Sequence, residues 1–161
     1  MVLPPDHGIE GLRDSKKLSS SERERLALLI REKADVWAIA WVSPADIDEM
    51  NILNASLSAM CQAIKMTGKE YPVIVDGNQK IPGLPNVQKS VVQGDARSAT
   101  VAAASILAKT ERDRYMENMA KTYPVYGFEK HKGYPTREHY RLLRAHGPCR
   151  IHRKTFKGVL S

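Results

Sequence analysis

The sequence predicts an α/β domain, and three observations predict it. A β-rich apolar run, Val73-Ile74-Val75, delivers Asp76 and stops at Gly77-Asn78. A second run, Lys89-Ser90-Val91-Val92, delivers Gln93-Gly94-Asp95. A helix of small residues follows at once, from about Ser98 to Thr122, with Ala102, Ala103, Ala104, Ser105 and Ala108 along it. Two carboxylates thus stand where strands end, the place where ligands and chemistry collect in open α/β sheets. Hard Mg²⁺ and Mn²⁺ prefer such oxygen ligands. Each aspartate also has a plainer reading. Asp76-Gly77 is a turn dipeptide, and Asp95 stands where a helix N-cap belongs. The residues alone leave both readings open.

The remaining elements follow in order. Met1-Val2-Leu3 reads as the end of a strand, and Pro4 to Gly8 as a loop. Gly11 to Leu18 is a polar loop, in which Lys16 and Lys17 beside Ser15 either hold a phosphate near a helix start or are ordinary solvated lysines. Ser21 and Glu24 predict a capping box, and Leu26, Leu29 and Ile30 the apolar stripe of the helix behind it. Asp35 to Val42, DVWAIAWV, is apolar on both faces and predicts a buried strand, with Trp37 and Trp41 on one face as core residues. Ser43-Pro44 opens a helix to about Met66 with a break near Asn51, and Thr67-Gly68 closes it. Asp46, Asp48 and Glu49 in its early turns read as dipole and solubility residues. In the long helix Asp113 is a further candidate metal ligand, or else a partner of Lys109 at i,i+4. Thr136 caps a last helix to about Ala145, and Gly147-Pro148 stops it.

At 161 residues the chain fits one domain spanning 1–161. It carries a formal net charge of +7. The charge is concentrated. Between Lys130 and Lys157 stand nine Lys or Arg against one acid, Glu138, while the remainder is near neutral. The segment 130–161 is therefore a basic C-terminal segment suited to a polyanion, in which Lys132 and Arg153 are candidate phosphate contacts, although a solvated basic face is equally compatible. Cys61 and Cys149 have no metal-type spacing, so zinc is not expected, and two unmatched thiols fit a reducing compartment. No apolar run is long enough for a bilayer and no signal peptide is seen, so the expectation is a cytoplasmic protein without membrane contact.

DSKKL at 14–18, IDEMNILNA at 47–55, VDGN at 75–78, QGD at 93–95, AAASILAKTERD at 102–113, HKGYPT at 131–136 and IHRKTF at 151–156 occur in this order. Together they closely resemble bacterial ribonuclease HII over essentially the whole chain. The resemblance implies a ribonuclease H-like α/β fold, a mixed sheet flanked by helices. It implies an endoribonuclease that cuts the RNA strand of RNA–DNA hybrids, and DNA at embedded ribonucleotides, using two Mg²⁺ or Mn²⁺ ions held by four carboxylates. Two of the four match Asp76 and Asp95. The tyrosine that packs at the sugar of the RNA–DNA junction matches Tyr134. Lys16, Lys17 and the basic tail match the phosphate-contacting surface. The family's strand carrying Asp-Glu-x-Gly-Arg-Gly, with the other two carboxylates, has no match here. The expectation is thus a chain lacking its first, central strand, monomeric, and inactive when isolated. The alternative is a non-catalytic remnant that binds hybrids through its tail. An unrelated α/β phosphate-binding protein is a weaker third reading.

Overall fold

A computed structural model describes residues 1–160 of the chain. It holds six α-helices and a two-stranded sheet among these residues. Two compact units divide them, the first from Met1–Trp41 and Ser56–Thr110, the second from Val42–Ala55 and Glu111 onward.

In the first unit, helix α1 (Ser20–Lys33) is capped by Ser19, not Ser21. The Ser19 hydroxyl accepts the Glu22 N–H at 3.2 Å, and Glu22 accepts the Ser19 N–H at 2.9 Å. Three consecutive serines offer the same cap chemistry. The first follows buried Leu18, so capping there starts the helix at once after the apolar anchor. Leu26, Ala27 and Ile30 of α1 pack with Ala103, Ile106 and Leu107 of α4 (Ala99–Thr122), together with Leu3, Ile9 and Leu18. Ala103 and Ala27 are fully buried. With only a methyl at each, the backbones approach closely, as the alanine run of α4 predicts.

Strands β1 (Val73–Asp76) and β2 (Gln88–Val91) pair in parallel, with Asp76 opposite Val91. Helix α3 (Ile52–Met66) places Leu57 against Val75 and Ile81, with Cys61 and Ile64 packed on that cluster. The loop between the strands is held by the Gln88 side chain, which accepts from Ile81 N–H at 2.7 Å and donates to Ile81 O at 3.0 Å.

The Asp35–Val42 strand does not form as predicted. Only Val36 bridges, in an isolated antiparallel contact with Val2. Trp37 is 39% exposed and Trp41 52%. High β-propensity does not make a strand without a neighbour to receive its hydrogen bonds, and β1 and β2 pair with each other. Trp37 is covered on one face by Arg31, 5.4 Å from the ring centre.

In the second unit, α2 (Pro44–Met50) ends at Asn51, whose φ of 68° puts the expected break there. The Asn51 carboxamide oxygen accepts from Leu53 and Asn54 N–H at 3.0 and 3.1 Å, starting α3 afresh. Short helix α5 (Phe128–His131) and α6 (Arg137–His146) follow the end of α4, with Thr136 capping α6. Phe128, Tyr126, Met116 and Leu143 form the core of this unit. No helix among the described residues is long and apolar enough to cross a membrane.

Candidate functional site

One hydrogen bond ties the end of the first strand, β1, to the turn that carries the second aspartate, Asp95. Asp76 Oδ1 accepts the backbone N–H of Gly94 at 2.8 Å. The ladder continues past Asp76, because Gly77 N–H donates to Val91 O at 3.0 Å. Gly77 takes φ 117°, which an L side chain resists, so the Asp76-Gly77 pair bends the chain away directly after the carboxylate. Gln93 stands in the left-handed region at φ 55° and turns β2 into a short 3₁₀ segment, Gly94–Ala96. Gly94 is buried; a Cβ there would meet Val101 Cγ1 at 3.3 Å and Asp76 Oδ1 at 3.4 Å. The turn packs on Asp76 because residue 94 has no side chain.

Asp95 lies in the first turn of that 3₁₀ segment, where no side-chain cap forms. Its carboxylate makes no hydrogen bond among the described residues, so the N-cap account of Asp95 is not realised. Asp76 is exposed and Asp95 half-buried, both open to hydrated cations. Their oxygen chemistry suits Mg²⁺ or Mn²⁺. Their number is short. Among the described residues no group of three or more His, Cys, Asp or Glu is placed to hold a metal ion.

Lys16 and Lys17 are exposed on a short 3₁₀ turn, Ser15–Lys17, which Asp14 caps by accepting Lys16 N–H at 2.9 Å. The turn is fastened beneath by Arg23, which donates to Leu18 O at 2.7 Å.

The other candidates gather in the second unit. Tyr134 is 48% exposed, with the Arg112 guanidinium 4.9 Å from its ring centre. The backbone before it is tightly turned, with Lys132 at φ 50° and Gly133 at φ 77°. Gly133 also lies close to Met116, whose Cε would stand 3.2 Å from an added Cβ. Tyr134 N–H donates to His131 O at 2.8 Å, and Tyr134 O accepts from His139 Nδ1 at 3.0 Å. Lys132 is not a loose surface cation. Its ammonium donates to Glu117 at 2.6 Å and to Glu129 O at 2.7 Å. Arg153 stacks on Phe156 at 3.7 Å, and its pKa is held below the ordinary value by burial and by the positive charge of Arg112. Two guanidiniums within electrostatic reach of each other make a place where an anion is welcome. Asp113 is buried, with Arg112 Nη1 3.9 Å from its carboxylate.

Two features escaped the sequence. Asp48 is not a mere solubility residue. Its carboxylate accepts Lys154 N–H at 2.7 Å, Thr155 N–H at 2.9 Å and the Thr155 hydroxyl at 2.6 Å, and the hydroxyl bond chiefly holds its pKa below the usual carboxylate value. Arg112 reads in sequence as one more charge on α4, whereas its position over Tyr134 is a tertiary fact. A plausible signal for each was available, since both lie inside the words IDEMNILNA and AAASILAKTERD.

A sequence profile of the ribonuclease HII family matches residues 9–159. A ribonuclease HII of Idiomarina loihiensis is 52% identical over 160 residues, covering 99% of this chain and 85% of its own. One of a Marinomonas species is 51% identical over 161 residues, covering 99% and 80%. Among solved structures, the ribonuclease H2 of Pyrococcus horikoshii superposes with a TM-score of 0.78 over 93% of this chain and 79% of that one, at 24% identity, a likeness of fold. The ribonuclease HII of Archaeoglobus fulgidus, solved in complex with PCNA, gives 0.69 over 89% and 77%, at 25% identity. The expected ribonuclease H-like mixed α/β architecture agrees with these neighbours.

Proposed function

The chain belongs to the ribonuclease HII family, and from that premise we propose an endoribonuclease that cuts the RNA strand of RNA–DNA hybrids, and DNA at embedded ribonucleotides. The observation that carries the reading is the hydrogen bond from Gly94 to Asp76, which brings the Asp95 turn against the end of β1. In the proposal Asp76 and Asp95 are two of the carboxylates that hold Mg²⁺ or Mn²⁺. When bound, such cations activate water and stabilise the leaving oxygen of a phosphodiester. Tyr134 presents half its surface for a sugar, and its ring is steadied by Arg112. Arg153 and Lys132 of the basic tail, with Lys16 and Lys17, contact phosphates. The reading carries with it a cytoplasmic, monomeric protein.

Two carboxylates are too few for two cations, so the 161-residue chain alone is proposed to bind hybrid without cutting it. The second reading, a non-catalytic hybrid binder, rests on the basic tail alone. The test is a cleavage assay with Mg²⁺ or Mn²⁺ on a hybrid and on a duplex with one ribonucleotide. It compares residues 1–161 with a form extended by a strand carrying Asp-Glu and Gly-Arg-Gly. The expected result is cleavage by the extended form only, abolished there by Asp76→Asn. Equal cleavage by both forms overturns the ligand assignment and makes Asp113 the next residue to replace. Cleavage by neither leaves the binder.

A further inference from the structure

Three buried histidines in the second unit, His131, His139 and His152, lie in one packed cluster. The His131 and His139 rings stack at 4.3 Å, and His139 Nε2 is 3.2 Å from His152 Nε2. Four of the six ring nitrogens have a backbone partner whose role is fixed. His131 Nε2 lies 2.8 Å from Tyr126 O, and a carbonyl only accepts, so Nε2 carries the proton. His131 Nδ1 then accepts Gly133 N–H at 3.1 Å. His139 Nδ1 faces Tyr134 O at 3.0 Å, so the proton is on Nδ1 and Nε2 keeps its lone pair. His152 Nδ1 accepts Cys149 N–H at 3.0 Å, with the Cys149 thiol 3.1 Å away, which leaves the proton on Nε2. That N–H meets the one remaining lone pair, on His139 Nε2. Every donor finds an acceptor only when all three rings are neutral.

We propose that His131, His139 and His152 are positioning residues for Tyr134, a neutral three-ring relay whose protonation releases the Tyr134 turn and loosens the tail at Cys149. The proposal rests on the reading of Tyr134 as the residue that meets the sugar. A further proton on any ring lands on a nitrogen that already accepts an N–H, from Gly133, from His152 or from Cys149, and so breaks that bond. No carboxylate among the described residues hydrogen-bonds to the rings. Glu117 of α4 holds Lys132, Glu138 of α6 faces Lys130 at 3.5 Å, and Asp48 of α2 holds residues 154–155. The remaining neighbours on the rings are Tyr126, which donates to Gly147 O, Phe128, and the Cys149 thiol. Burial pushes the Cys149 thiol up, keeping it a donor, and pushes His139 and His152 down. Burial is the larger effect on both rings, against the Tyr134 backbone bond, which favours the charged form of His139, and the Cys149 backbone bond, which favours that of His152.

The experiment is long-range ¹H–¹⁵N spectroscopy of the 161-residue chain, with the exposed ring of His146 as reference. At pH 7.5 the expected tautomers are Nδ1–H for His139 and Nε2–H for His131 and His152. On acidification the His139 and His152 rings are expected to protonate, with the Tyr134 and Cys149 amides shifting alongside. His139→Gln, whose amide can donate to Tyr134 O and accept from His152, keeps the Tyr134 amide shift at pH 7.5; His139→Leu loses it. A different tautomer on any ring, Tyr134 and Cys149 amides that hold their shifts while His139 and His152 protonate, or a Tyr134 shift unmoved by His139→Leu overturns the relay. The functional half is separable. Should Tyr134→Ala bind a one-ribonucleotide duplex as well as the parent does, the tyrosine is packing, and the relay's positioning role is overturned even with its tautomers correct.

Discussion

The Asp76–Asp95 site and the Tyr134 corner are both polar, and they are built in opposite ways. At the strand ends one hydrogen bond joins the parts, and Asp95 accepts none. At the corner three rings are buried and their nitrogens are all paired. Under the proposed function the difference tracks what each must do. Oxygen atoms that are to meet a cation keep their lone pairs for it, and an exposed carboxylate costs little while it waits. Groups that only hold shape must be satisfied when buried, since an unpaired one is expensive. Under that proposal the under-used oxygens at the strand ends belong to chemistry, and the saturated ring nitrogens to architecture.

The largest expected effect sharpens that contrast. In a cleaving form, Asp76→Asn should lower kcat by roughly 10²- to 10³-fold or more, as removal of a charge-stabilising group does. The melting temperature should barely move, because Asp76 is exposed. A large loss of stability with kcat intact would make Asp76 a structural residue and break the comparison.

The corner should respond the other way. His139→Leu leaves Tyr134 O and His152 Nε2–H unpaired, and denaturant unfolding should show a loss of about 2–5 kcal/mol. The same residues give a pH signature. Burial lowers the folded-state pKa of His139 and His152 below the unfolded value of 6.5, so the unfolded chain binds more protons between the two values. Their contribution is complete above pH 6.5 and falls as pH drops from there toward the folded-state values. Stability measured by urea titration should decline through that window in the parent, and less in His139→Gln.

Gly94→Ala tests the joint itself. The new methyl would press on Val101 and Asp76 at 3.3–3.4 Å, so a cost of about 1–2 kcal/mol is expected, with Asp76 displaced from its bond. Unchanged stability would show that the turn has room and that glycine is not needed there.

The smallest effect concerns the tail. Arg153→Gln should flatten the salt dependence of hybrid binding by about one unit of slope. Lys132→Gln should change it less, since Glu117 already holds that ammonium at 2.6 Å. Equal changes would mean that Lys132 exchanges its partner for phosphate.

Local signals were legible in the sequence. The stripe of α1, the interruption at Asn51 and the carboxylates ending both strands follow from periodicity and turn chemistry, which act over a few residues. The misses were matters of partnership. Trp37 and Trp41 have strand propensity, but nothing local says which strand they will pair with. Ser19, Ser20 and Ser21 are equivalent caps until Leu18 is known to be buried. The histidines read as members of a basic tail, because their closeness depends on how α5, α6 and residues 149–152 fold back. Asp48 meets Lys154 and Thr155 across more than a hundred residues, a distance at which spacing carries no information.

That last contact has a consequence for how the chain is made. The second unit combines residues 42–55 with residues from 111 onward, and Asp48 receives its amides 106 and 107 positions later. A ribosome delivers residues in order, and units complete as their parts emerge. The first unit has all its residues once Thr110 is out. Helix α2 must then wait, its carboxylate still bonded to water, until the tail arrives. The order of synthesis thus leaves the basic unit to close last.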